Sequence, residues 1–248
     1  MIRRLGFLFL IWLPAIVSAQ TDAGQPDFKA VTQTLDLSLA TKGSLTTAAL
    51  SLNRLYGLGK LHRFKIGYGL RLTSAFGQAT DYRTAPADLV KGNGKASVVG
   101  LFSKDLEEHI DTLRLSNTLA HSVNISLNLE YALSHRLDLG VNIDLIGFTV
   151  GPKQSGTFIA NSPSRSPLSG TIQEASLTAF NILLGDKSDR GSLNSEGYVR
   201  YRLTNRFSLR GGLSFQFNEY TTSRKLTFDN DRFRSSNARI LGAIAYHW

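Results

Sequence analysis

The sequence predicts an all-β fold: an eight-stranded antiparallel transmembrane β-barrel with short periplasmic turns and longer external loops. Three observations predict it. Apolar and polar residues alternate with a period of two through most of the chain, the pattern of a strand with two unlike faces. The alternating segments run about ten residues or more, whereas soluble strands average ~5–6 and a tilted spanning strand needs ~9–11. The final stretch Ile240-Leu241-Gly242-Ala243-Ile244-Ala245-Tyr246-His247-Trp248 keeps one face apolar and aromatic up to its end. Aromatic rings there are placed to anchor a strand at the membrane–water interface, so Tyr246 and Trp248 are read as an interface and barrel-assembly signal.

The first residues fit export. Arg3 and Arg4 form a basic region, Leu5 to Val17 is an apolar run, and Val17-Ser18-Ala19 is a small-residue cleavage site. This predicts a signal peptide over 1–19 and a barrel domain over 20–248. The run is too short for a spanning helix, and no later stretch approaches the ~20 apolar residues one needs. The chain has no cysteine, which excludes a lipoprotein anchor and a disulfide framework. The net charge is +9, and its basic residues are scattered along alternating strands. That spread argues against nucleic acid and for contact with anionic lipid headgroups.

The strands are expected at 31–41, 45–56, 62–76, 119–133, 136–149, 194–204, 206–220 and 236–248. Leu35, Leu37 and Leu39 alternate with Asp36 and Ser38 in the first, and Leu50 and Leu52 with Ser51 in the second. Phe64, Ile66, Tyr68, Leu70 and Leu72 alternate with Arg63, Lys65, two glycines and Arg71 in the third. Val123 to Leu133 is the most regular case, and Leu137 to Leu145 follows it across the tight polar link Ser134-His135. Val199, Tyr201 and Leu203 alternate with Tyr198, Arg200 and Arg202, then Thr204-Asn205 turns the chain into Phe207 to Phe217. An even strand count closes a barrel with both termini on one side. Links near 57–61, 134–135 and 204–205 are short, which places them in the periplasm. The loops 77–118, 150–193 and 221–235 are long, and Thr41-Lys42-Gly43-Ser44 is an exception as a short external turn. Gly92-Asn93-Gly94 reads as a turn, Ser155 to Gly170 as a mobile loop, and Ala175 to Gly185 as a wall extension or a lid.

An apolar face toward lipid leaves the charged face for the lumen: Asp36, Arg63, Lys65, Arg71, Glu130, Arg136, Asp138, Asp144, Glu196, Arg200, Arg202, Arg206, Arg210 and Arg239. An eight-stranded barrel is just wide enough to be filled by side chains. Buried charges must pair, so the reading is a lumen plugged by ion pairs. The candidate polar cluster is Asn142, Asp144, Asn194, Glu196, Arg200, Arg202 and Arg210. Nine basic against five acidic residues in the inward set leave room for a second reading, a narrow anion-tolerant passage. No catalytic, cofactor or metal residues are assigned. His121 and Ser122 are neighbours, and strand neighbours face opposite sides. His62, His135 and His247 read as interfacial, and His109 as part of a charged loop.

Asn142-Ile143-Asp144-Leu145-Ile146-Gly147-Phe148, the run Gly191 to Glu196 leading into Tyr198 to Tyr201, and Phe215 to Tyr220 resemble small outer-membrane β-barrel proteins of the Bacteroidetes type. The resemblance spans about residues 30–248. It implies an outer-membrane location and a barrel fold and adds little about activity. The partners expected in such a Gram-negative setting are outer-membrane lipid and lipopolysaccharide, and the barrel-assembly machinery through the C-terminal strand. The role expected is structural or surface display without enzymatic activity. The rivals are a narrow porin-like conduit for anionic solutes or hydrophobic ligands, and a lipid-modifying enzyme.

Overall fold

The computed structural model describes residues 28–43, 45–90, 105–185 and 188–248. The predicted signal peptide and the Gly92-Asn93-Gly94 turn lie outside the described residues. Eleven strands are present among them: β1 Val31–Lys42, β2 Leu45–Leu58, β3 Phe64–Thr84, β4 Thr112–Ala132, β5 Leu137–Val150, β6 Gln154–Ile159, β7 Ile172–Leu177, β8 Phe180–Ile182, β9 Leu193–Arg202, β10 Phe207–Thr222 and β11 Arg232–His247. One short helix, α1 Ala87–Val90, joins them.

Eight of these strands close the predicted ring. Each pairs antiparallel with the next in the order β1, β2, β3, β4, β5, β9, β10, β11, and β11 returns to β1 through Leu35↔Tyr246 and Leu39↔Gly242. Alternation holds on both faces. Leu37, Leu39, Leu70 and Phe148 stand exposed on the outer wall, while Asp36, Arg71, Asp144 and Arg200 are buried within. Only hydrocarbon makes that outer surface favourable, because water would penalise it. Phe64 and Phe76 bracket the apolar band on β3. Twelve residues of strand rise roughly 40 Å along the chain and about 30 Å along the axis at a ~40° tilt, the thickness of a bilayer core. Tyr56, Tyr131, Tyr201, Phe207, Tyr246 and Trp248 ring the short-turn end, and Phe76, Phe148, Phe180 and Phe215 the opposite end. Such belts mark the two interfaces of a spanning barrel.

The two ends of the expected loop 77–118 are wall. β3 runs on to Thr84 and β4 begins at Thr112, paired through Thr80↔Leu115 and Tyr82↔Leu113. The segment Ser155 to Gly170, expected as a mobile loop, supplies most of β6, and Ala175 to Gly185 supplies the end of β7 and all of β8. β6 takes over from β5 beside β4 at Gly156↔Leu115, and β7 takes over from β9 beside β10 at Leu177↔Tyr220. The β1–β2 hairpin turns at Gly43, whose φ of +58° suits a glycine turn. Above that turn β11 meets β3 directly, at Phe233↔Thr84 and Arg234↔Arg83. The eight-stranded ring therefore continues as a six-stranded ring, β3, β4, β6, β7, β10, β11, beyond the apolar band.

The extension is built inside out relative to the band. Tyr82, Leu113, Leu115, Phe158, Tyr220 and Phe233 fill its interior. The Tyr82 and Tyr220 rings meet edge-on at 5.1 Å, as do Phe158 and Phe233 at 6.2 Å. Its outer surface is ionic: Asp81 accepts two hydrogen bonds from Arg114 at 2.7 and 3.0 Å, and Arg83 reaches Glu107 at 2.6 Å. On β3 the inward positions change from odd to even between Ala75 and Tyr82, and on β4 from even to odd between Thr118 and Leu115. A wall in lipid gains nothing by hiding apolar side chains, whereas one in water gains ~25 cal/mol per Å² hidden. Burial pushes the Tyr220 hydroxyl up to about 12 and that of Tyr82 higher still. The hydrogen bonds from Arg114 hold the Asp81 carboxyl below its ordinary value. That exposed pair contributes little, present at neutral pH and lost on acidification through the lowered value.

Candidate functional site

The lumen is the candidate site, and its alternating polar positions come together as one network. Arg71 on β3 binds Asp144 at 3.1 Å and Glu196 at 3.2 Å. Arg210 on β10 binds Glu196 and Asp36, both at 3.4 Å. Arg200 on β9 binds Asp36 at 3.6 Å and Glu130 at 2.8 Å. Three guanidiniums and four carboxylates from seven strand positions thus cross the barrel from wall to wall. Tyr198 stands among them. Its hydroxyl donates to Glu130 at 2.8 Å, and the Arg210 guanidinium lies 4.3 Å over its ring. Amides add hydrogen bonds to two of the carboxylates: Asn53 donates to Asp36 at 3.0 Å, Asn124 to Asp144 at 2.9 Å, and the Asn194 backbone N–H to Asp144 at 3.1 Å. The Asn142 amide is satisfied when its oxygen faces Arg71 and Arg210 and its nitrogen the Tyr198 hydroxyl.

Glycine makes room for this plug. A Cβ on Gly140 would sit 2.3 Å from the Tyr198 ring, and one on Gly69 would sit 2.3 Å from the Asn53 amide oxygen. Gly140→Val is therefore expected to displace Tyr198 and to cost about 1–3 kcal/mol by overpacking, read as a lower thermal midpoint of the heat-modifiable band. Gly211→Val, at a site where a Cβ meets nothing within 4 Å, is the matched control.

The predicted cluster is mostly one unit. Asn142 pairs across to Glu196 in the β5–β9 register, Asn194 donates to Glu196 at 3.1 Å, and Asp144, Arg200 and Arg210 join through the contacts above. Arg202 does not join them. It is half-buried nearer the short turns and binds Asp138 at 2.8 Å. The inward set needs three corrections. Arg136 and Arg206 are exposed in the turns and Arg63 is half-buried at the rim over the Phe28 ring, because strand pairing ends before them. Six basic residues remain against five acidic, so the positive excess behind the anion passage falls to one. His247 is not interfacial. It is buried in the lumen wall, 2.8 Å from the Ser208 hydroxyl and 3.4 Å from Arg200. Arg71, Asp36, Glu130 and Tyr198 hold the centre of the plug, although sequence gives them only the inward parity. His121 meets the Ser74 hydroxyl across the β3–β4 pair at 2.9 Å, on the outer wall, rather than its neighbour Ser122. Tyr246 and Trp248 face outward as predicted, their rings stacked at 6.2 Å. No group of three or more metal-ligating side chains occurs among the described residues.

Both sides of the plug differ. Beyond it lies the apolar core of the six-stranded extension. Before it, at the short-turn end, a cavity of about 690 Å³ opens between Phe28, Lys65, Arg136, Arg202 and Trp248.

No family model matches the chain. No curated protein matches it either. Among solved structures, it is similar to a major outer membrane protein from Thermus thermophilus, at 13% identity and a TM-score of 0.37 over 89% of this chain and 100% of that one. It is also similar to the Neisserial surface protein A, at 9% identity and 0.33 over 88% and 96%. The Yersinia pestis outer membrane protein Ail follows at 8% identity and 0.32 over 88% and 99%. Likeness this distant assigns no activity.

Proposed function

We propose that this chain is an outer-membrane β-barrel protein with a closed lumen, serving a structural or surface-display role without enzymatic activity. The observation that carries the reading is the double seal: an ion-paired plug inside the membrane band and an apolar core in the extension beyond it. A solute crossing the barrel would have to break charge pairs that are almost wholly buried and then part the Tyr82–Tyr220 contact. The Bacteroidetes-type resemblance, the periplasmic placement of the short turns, the signal peptide, and contact with lipopolysaccharide and the barrel-assembly machinery belong to this same proposal. The terminal strand, with Tyr246 and Trp248 at the interface, is the part an assembly machine would read.

The expected result in planar bilayers is a silent protein, with no sustained discrete openings. Stepwise conductance by the unmodified chain would favour the porin-like reading instead. Membrane fractionation with heat-modifiable gel migration tests location, and release of the folded chain without detergent would overturn it. One observation favours a second reading, a lipid-modifying enzyme: the Ser74–His121 hydrogen bond on the outer wall. No carboxylate bonds His121 among the described residues, so the pair lacks the orienting acid of a triad. Incubation with lipopolysaccharide and mass analysis of its acyl chains decides between the two readings, with Ser74→Ala as the control.

A further inference from the structure

We propose that the cavity at the short-turn end is a binding site for a small organic phosphate monoester. It is a blind vestibule. The plug closes its inner side, so a ligand must enter and leave by the same mouth.

Charge is the first argument. Lys29, Lys65, Arg136 and Arg202 line the vestibule, and among the described residues the one carboxylate bonded to them is Asp138, held by Arg202. The plug beneath carries four carboxylates and three guanidiniums. Seven cations against five carboxylates leave two positive charges facing the opening. A phosphate monoester carries about −1.5 to −2 near neutral pH and matches that excess.

Lys65 is the second argument. It is 2% exposed, yet among the described residues its Nζ makes one hydrogen bond, to the Thr32 hydroxyl at 2.8 Å. Glu130 lies directly across the β3–β4 pair from Lys65 and balances part of its charge. But an ammonium has three donors, and among the described residues neither carboxylate oxygen of Glu130 accepts from it. Phosphate oxygens entering the vestibule would supply the missing acceptors for Lys65 and for the planar forks of Arg202 and Arg136.

Size and wall chemistry give the organic part. About 690 Å³ exceeds a bare phosphate and falls in the ~300–1,000 Å³ range of small-molecule sites. Phe28 stacks on His135 at 5.7 Å on one wall, and Leu203 and Trp248 stand on the rim. These surfaces suit a flat or apolar body behind the phosphate.

The claim does not depend on which compartment the mouth faces, so it can fail while the closed-barrel reading stands. The test is calorimetric titration of phenyl phosphate into the full chain, folded in phosphatidylcholine nanodiscs. Saturable binding is expected, weakened on the order of tenfold by Arg136→Gln and further by Lys29→Gln/Arg136→Gln. Both side chains are exposed and outside the plug, so these variants keep the fold. Repeating the titration in discs containing phosphatidic acid identifies the source. Competition there assigns the site to a lipid headgroup phosphate, and unchanged affinity assigns it to a soluble ester. Absence of saturable heat, binding undiminished in the double variant, or equally tight binding of phthalate would each overturn the proposal.

Discussion

Arg71→Met is expected to cost about 3–5 kcal/mol of folding stability, because it leaves a buried carboxylate without its counter-charge. Among the described residues Asp144 has no other ion-pair partner, and Arg71 also binds Glu196. The double variant Arg71→Met/Asp144→Asn should recover roughly half of the loss, since the orphaned charge goes with the partner that held it. The measurement is a urea titration of the barrel in detergent or lipid, followed by heat-modifiable migration. A double variant as unstable as the sum of both single ones would show that the ion pair is not the unit of stability. Conductance should stay silent in Arg71→Met, because the apolar core of the extension still closes the far end.

The second large effect separates the two halves of the wall. Phe158→Ala is expected to cost about 3–5 kcal/mol, the usual loss for emptying a buried aromatic site. Phe158 is 0% exposed inside the extension, against Phe233. Phe148→Ala is expected to change stability far less. Phe148 is 59% exposed on the outer wall and leaves no cavity behind. Hydrogen exchange should localise the Phe158→Ala effect to β6, β7 and the outer ends of β3, β4, β10 and β11, with the membrane band still protected. Equal losses for the two phenylalanines would overturn the inversion of polarity between band and extension.

How much of this was legible follows from what alternation can carry. Within the apolar band a residue's parity names its face, so the eight strands and the inward placement of Asp144, Glu196, Arg200 and Arg210 were readable. The C-terminal half of β3 shows where the reading stopped. Beyond Gly77 the inward parity flips and the inward residues become Tyr82 and its neighbours, so a continued search for polar residues inside finds an apparent loop. The β6–β7 hairpin was hidden for a related reason. Its strands have six residues each, in a Ser- and Pro-rich stretch whose outer pairing partners on β4 and β10 lie far off in the chain. The vestibule was out of reach altogether, since Lys29, Lys65, Arg136 and Arg202 come from four separate parts of the chain.

The sequence by itself determined the barrel: its closed antiparallel class, its eight spanning strands, its greasy outside and ionic inside, and the aromatic end of its last strand. These are local properties, because a two-residue period and a strand's length are written in neighbouring residues. The tertiary structure alone decided which charges meet, that Tyr198 stands among them, that the ring narrows from eight strands to six, and that one end stays open as a basic vestibule. Those depend on register across strands far apart in the chain, where a shift of a single residue would exchange every inward side chain for an outward one.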